Sequence, residues 1–207
     1  MKATLGAALV AACLVGLAAP AAAQVPGVEL TLNPRAGLYI PLTDLGDAGS
    51  IMGSMVTEQS GTLALGLGAE LRFAGPVGVR ANLDYATGSE ISAEGLGETV
   101  ERTVVMLAGD LVFRPLPRLV VVQPYLYAGG GLRQYDFDFA TPQDAGELED
   151  ASDPMIHLGG GLELGLGPLA VNAEIGDYIS WLEIREGADS ELQHDLFVSV
   201  GVVLSLL

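Results

Sequence analysis

Residues 62–73 read TLALGLGAELRF, and every odd position carries an apolar side chain: Leu63, Leu65, Leu67, Ala69, Leu71 and Phe73. The even positions, Thr62, Ala64, Gly66, Gly68, Glu70 and Arg72, are small, polar or charged. Side chains alternate across a strand with period two, so this segment is a β-strand with one clean apolar face. A water-soluble sheet would turn the other face to solvent, but glycine there weakens the strand without adding solubility. Inside a narrow barrel the same glycines leave room for long charged side chains from other strands. The apolar face then belongs against lipid.

The pattern recurs along the chain. Residues 77–88 set Val77, Val79, Ala81, Leu83 and Tyr85 against Gly78, Arg80, Asn82 and Asp84. Residues 155–166 set Ile156, Leu158, Gly160, Leu162, Leu164 and Leu166 against His157, Gly159, Gly161, Glu163 and Gly165. Near the C-terminus, Leu196, Val198, Val200, Val202, Leu204 and Leu206 oppose Phe197, Ser199, Gly201, Val203 and Ser205. Eight strands are expected, near 28–41, 62–73, 77–88, 103–113, 120–137, 155–166, 169–182 and 191–207. The connections alternate in length. Those at 74–76, 114–119 and 167–168 are short and rich in glycine and proline, which supply turn dihedrals and stop the ladder. Those at 43–61, 89–102, 138–154 and 183–190 are long. The expected fold is therefore all-β: an eight-stranded antiparallel transmembrane β-barrel of up-and-down topology. A soluble lipocalin-like barrel is the structural alternative. Phe73 and Phe113 lie on the outward face beside short connections, and Tyr85 and Trp181 on the outward face near long ones. Two depths of aromatic side chain match two membrane interfaces, although strands are enriched in aromatics in any case.

The formal charge of -17 excludes a nucleic-acid surface, since the single lysine, Lys2, lies in the N-terminal segment. Half of the residues are hydrophobic, which excludes wholesale disorder. The four long connections carry sixteen acidic residues against Arg102 and Arg185, so most of the charge belongs to one end of the barrel. An even strand count puts both termini at the other end. Met1-Lys2, the apolar run Ala3 to Ala18 and Ala21-Ala22-Ala23 read as an export signal over residues 1–23, leaving 24–207 as the barrel domain. An anchoring helix is the alternative, weakened by Pro20. Cys13 follows Val10-Ala11-Ala12 as in a lipoprotein box, but the apolar run continues past it. Cleavage after Ala23 leaves no cysteine, hence no disulfide and no thiolate chemistry.

Residues 122–132, VQPYLYAGGGL, followed by the glycine strand Leu158-Gly159-Gly160-Gly161-Leu162-Glu163, resemble the small eight-stranded outer-membrane β-barrel superfamily. That superfamily includes the transmembrane domain of outer-membrane protein A and the outer-membrane protein W group. The resemblance runs from about Val28 to Leu207. It implies a bacterial outer-membrane location, long acidic loops outside the cell and termini in the periplasm. It also implies contact with outer-membrane lipids and lipopolysaccharide, insertion by the barrel-assembly machinery, and a monomer. Members commonly end in an outward-facing phenylalanine; this chain ends Leu204-Ser205-Leu206-Leu207, which puts the usual assembly signal in doubt. No soluble peptidoglycan-binding domain is expected after Leu207.

Parity projects Arg35, Glu70, Arg72, Arg80, Asn82, Asp84, Asp110, Arg133, Glu163, Asn172 and Glu174 inward. Both signs occur, and buried charges must find partners, so a salt-bridge network in the lumen is expected. Such a network plugs a barrel of this size or lines a narrow gated path. Tyr125, Tyr127, Tyr135, Phe137 and Tyr178 share the inward parity. They are either packing or the wall of a pocket for a small, apolar solute, as the resemblance to the protein W group implies. A lipid-modifying enzyme is the opposing class. Its residues are missing: His157 has no serine two positions away on its face, and His194 and Ser199 lie on opposite faces, whereas a Ser-His pair must meet within about 3 Å. Asp144, Glu147, Glu149, Asp150 and Asp153 in one long loop suit Ca²⁺ or Mg²⁺ chemically but lack a defined ligand spacing. Diffuse divalent bridging to lipopolysaccharide is the reading for that loop, and no cofactor is expected.

Overall fold

A computed structural model describes residues 27–43, 57–59, 61–93, 99–116, 121–138, 152–165, 169–182 and 191–206. The strands are β1 (Val28–Pro41), β2 (Thr57–Gln59), β3 (Thr62–Phe73), β4 (Val77–Ala93), β5 (Thr99–Phe113), β6 (Val122–Asp138), β7 (Ser152–Gly165), β8 (Leu169–Leu182) and β9 (Glu191–Ser205). All but β2 form the barrel wall, in ring order β1, β3, β4, β5, β6, β7, β8 and β9, and β9 closes antiparallel on β1. Closure pairs the backbone polar groups within the wall, which hydrocarbon requires of any spanning sheet.

The register winds upward around the wall. Thr31 pairs with Glu70, Glu70 with Arg80, Arg80 with Asp110, Asp110 with Gly129, Gly129 with His157, His157 with Tyr178, and Tyr178 with Asp195. Asp195 pairs with Pro41, ten residues beyond the start on the same strand. This shear tilts the strands, by about 35–45° in barrels of this kind, and narrows the lumen to a bore that side chains fill.

The outward face is a belt of Leu63, Leu65, Val79, Leu107, Leu111, Leu126, Leu162, Ile175 and Val200, all exposed. Phe73 and Phe113 border it at the short-turn end, and Tyr85 and Trp181 toward the long-loop end. The inward face buries the polar set, with a smaller apolar cluster of Tyr39, Val104, Met106, Met155, Tyr178 and Phe197 above it.

Three expected loops contain strand residues. The connection expected at 89–102 is mostly ladder: β4 runs to Ala93 and β5 begins at Thr99, past an irregularity between Ala86 and Ser89. Beyond the lipid belt no apolar face is needed, so the period-two signal fades while the hydrogen bonding continues. Likewise β2 forms within 43–61 and pairs with the end of β4, and Ser152–Pro154 belong to β7. Residues 1–23, with Cys13, and the loop acids Asp144, Glu147, Glu149 and Asp150 lie outside the described residues.

Candidate functional site

The lumen is built in tiers. At the short-turn end, Arg72 on β3 donates to both carboxylate oxygens of Glu163 on β7, at 3.0 and 2.8 Å. Arg114 donates to Glu70 and lies 3.5 Å from Glu163, so two guanidiniums share two carboxylates.

Above it, Arg80 on β4 reaches Glu174 on β8 at 2.8 Å and Asp110 at 3.4 Å. Arg35 on β1 forks onto Asp84, at 2.7 Å to each oxygen, and also meets Asn82 at 2.9 Å and Glu174 at 3.0 Å. Gly66 makes this fork fit: a Cβ there would strike Asp84 Oδ1 and stand 2.6 Å from Arg35 Nε. His157 Nδ1 lies 3.0 Å from Asp110 Oδ1, and its ring stacks on Tyr178 with centroids 4.1 Å apart. Tyr178 in turn donates its hydroxyl to Asp84. In this tier Arg35 and Arg80 face the three carboxylates Asp84, Asp110 and Glu174.

Nearer the long-loop end, Arg133 is fully buried and donates to Asp195, Ser180 and Gln193. The expected network names the arginine but not Ser180, Gln193 and Asp195, although all three fall within expected strands at inward parity. These stand on the inward face of β8 and β9, and extending the alternation of 196–206 toward the N-terminus reaches Gln193 and Asp195. Asp153, expected in a loop, is instead a buried β7 residue opposite Arg133. The sequence hides it because its strand starts three residues before the apolar alternation does.

Every residue expected in the lumen network is buried: Arg35, Glu70, Arg72, Arg80, Asn82, Asp84, Asp110, Arg133, Glu163, Asn172 and Glu174. The aromatic set divides. Tyr125 donates to Glu174 at 2.7 Å and accepts from Asn172 at 3.1 Å. Tyr127 lies under the Arg80 guanidinium, 4.2 Å from its ring centroid, and its hydroxyl occupies the space that a Cβ on Gly159 or Gly176 would need. These tyrosines and Tyr178 are thus bonded into the network. Tyr135 and Phe137 continue the β6 ladder opposite Val104 and Arg102, and their side chains lie outside the described residues. An open apolar groove of about 660 Å³ runs over the outer wall past Leu126, Gly160, Leu162, Ala173 and Ile175.

Among the described residues neither histidine side chain bonds a nucleophile: His157 faces Asp110 and His194 faces Asp177. Among the described residues no group of three or more His, Cys, Asp or Glu is placed to hold a metal ion.

A family model described as the outer membrane protein beta-barrel domain matches residues 9–202. The chain belongs to this family. As a family member it is an outer-membrane barrel, as its resemblance to the small eight-stranded superfamily implied. Among solved structures, the outer membrane protein OprG from Pseudomonas aeruginosa aligns with a TM-score of 0.57 at 15% identity, covering 86% of this chain and 93% of OprG. A major outer membrane protein from Thermus thermophilus aligns at 0.54 and 15% identity, covering 86% of this chain and 99% of its own. Outer Membrane Protein W from E. coli aligns at 0.50 and 16%, covering 87% of this chain and all of its own. At these identities the likeness shows the shared fold. No curated protein matches the sequence.

Proposed function

We propose that this outer-membrane barrel is closed to solute flow and acts through its outer surfaces, as a structural or surface-interaction protein. The observation that carries this reading is a set of three bonds across the diameter of the lumen. Arg72 on β3 meets Glu163 on β7, Arg80 on β4 meets Glu174 on β8, and Tyr178 on β8 meets Asp84 on β4. β3 and β7, like β4 and β8, stand four places apart in a ring of eight. A solute would have to break these bonds in succession and leave buried charges unpaired. Of the tyrosines that would line a solute pocket, Tyr125, Tyr127 and Tyr178 are themselves committed to the network.

In this reading the long acidic loops face outward, where divalent ions bridge them to anionic lipopolysaccharide, and the termini face the periplasm. The barrel works as a monomer, inserted by the assembly machinery. Labelling of intact cells is expected to reach 43–61 and 138–154 and to spare 114–119; the reverse pattern overturns the orientation. Planar-bilayer recording of the mature protein is expected to show no stable conductance. A steady single-protein conductance, or solute uptake that falls in a Tyr125→Ala/Tyr127→Ala variant, replaces this reading with a narrow channel. Turnover of phospholipid or lipid A by the purified protein replaces it with an enzyme.

A further inference from the structure

The middle tier of the lumen does not balance its charges. At the short-turn end two guanidiniums, Arg72 and Arg114, meet two carboxylates, Glu70 and Glu163. In the middle, Arg35 and Arg80 meet three, Asp84, Asp110 and Glu174, and all five are buried. Charges taken out of water must be paired, so the leftover negative charge calls for a cation. The basic side chain set against this excess is His157, itself buried.

The wall is built to bring the imidazole there. Asp110, Gly129 and His157 stand level on β5, β6 and β7, and the strand between the two side chains carries none of its own. A Cβ on Gly129 would stand 2.5 Å from Asp110 Oδ1, so the glycine lets the carboxylate cross to the ring. His157 Nδ1 then lies 3.0 and 3.1 Å from the two carboxylate oxygens. The ring is stacked on Tyr178, with centroids 4.1 Å apart and planes within 3°, and the Tyr127 ring lies 4.7 Å away. A charged imidazole is attracted by the carboxylate and by both aromatic faces, and repelled by the guanidiniums behind them.

The distances around Arg80 show what that charge does. Arg80 lies 2.8 Å from Glu174 and 3.4 Å from Asp110. A charged His157 satisfies Asp110 and leaves Arg80 to Glu174, the bond that spans the lumen from β4 to β8. A neutral ring still donates its Nδ1–H but brings no charge, so Asp110 draws Arg80 toward itself. Glu174 can release it, because Arg35 at 3.0 Å and the Tyr125 hydroxyl at 2.7 Å remain.

We propose that His157 is a proton-binding switch inside the plug: with both ring nitrogens protonated it locks Arg80 across the lumen onto Glu174, and on losing one proton it gives Arg80 up to Asp110. The groups facing the ring are Asp110 from β5, Tyr127 from β6 and Tyr178 from β8, with Arg80 and Asp84 from β4, Arg35 from β1 and Glu174 from β8 behind them. Histidine is the side chain that ordinarily changes charge between about pH 5 and 8, so acid tightens the closure and alkali loosens it. This deepens the reading of a closed barrel and rests on it.

The test follows the full mature chain in detergent micelles by ¹⁵N NMR of its histidine and arginine side chains from about pH 5 to 8. The Arg80 guanidinium is expected to shift with the same midpoint as the His157 ring, and to stop shifting over that range in His157→Gln. A His157 ring that does not titrate, an Arg80 that stays still while it does, or an Arg80 shift that persists in His157→Gln overturns the switch. Should His157→Gln fail to fold, His194→Gln decides: it leaves His157 as the single histidine, and an Arg80 shift lost along with His194 refutes the proposal. Bilayer conductance tests the closed lumen separately. A steady current at the acid end ends the closed reading while the shared midpoint still decides the switch, so that either can fail alone.

Discussion

Glu174 and Asp177 are carboxylates three residues apart on β8, yet they live on opposite sides of one wall. Glu174 faces the lumen and holds Arg35 at 3.0 Å, Arg80 at 2.8 Å and the Tyr125 hydroxyl at 2.7 Å. Asp177 faces outward and holds His194 alone, with one oxygen unpaired. An odd spacing along a strand is enough to separate them, because neighbouring positions point to opposite faces. Inside, several strands converge on a narrow bore, and Asp84, Asp110, Glu163 and Glu174 each find donors. Outside, the wall curves away from itself, and a polar group has only its nearest neighbours and whatever the membrane supplies.

The sharpest way to break this contrast is to remove the inner partner. Glu174→Ala strips Arg35 and Arg80 of their shared acceptor and is expected to destabilise the barrel by about 3–5 kcal/mol, measured by urea unfolding in detergent micelles. Arg80→Ala and Arg133→Ala belong in the same range, since each leaves carboxylates buried without their cation. Loss of less than about 1 kcal/mol in all three would mean that water already solvates these charges, and the lumen would then be wet.

A smaller effect comes from packing. Gly176→Val puts a branched side chain where the Tyr127 hydroxyl lies and 3.0 Å from His157 Nε2, and overpacking of this kind costs about 1–3 kcal/mol. Unchanged stability would show that Tyr127 swings freely, as a pocket wall would. The smallest effect belongs to the outer pair. Asp177→Leu in phosphatidylcholine bilayers is expected to change stability by no more than about 1 kcal/mol, and toward greater stability, because a carboxylate is removed from the lipid-facing side of the wall at the cost of one hydrogen bond to His194. Marked destabilisation there would place Asp177 in the structural framework of the wall.

Much of this is legible in the alternation. The run from Leu63 to Phe73 defines a strand and its two faces, and the same parity selects Arg35, Arg80, Asp110 and Glu174 for the interior. Parity chooses a face but never a partner. Arg72 meets Glu163 and Arg80 meets Glu174 because the shear carries distant strands to matching heights, and no local spacing encodes that. Asp153 escapes the pattern for another reason: it sits where β7 leaves the lipid, and the apolar neighbours that mark a strand in sequence stop before the ladder does. Asp177 stands inside a correctly bounded strand, and its outward parity follows from Ile175 and Trp181 alone.

The diameter-spanning bonds also bear on how the barrel comes into being. Arg72 and Glu163 are 91 residues apart, and Arg80 and Glu174 are 94 apart, so each cation is made about half a chain before its acceptor. A sheet of the first four wall strands therefore carries Arg72 and Arg80 on its concave side without their cross-lumen acceptors, a charged face that favours water over lipid. Only when β7 and β8 swing round does the concave side become dry enough to leave. Seam closure and completion of the cross-lumen pairs then belong to the same stage of assembly.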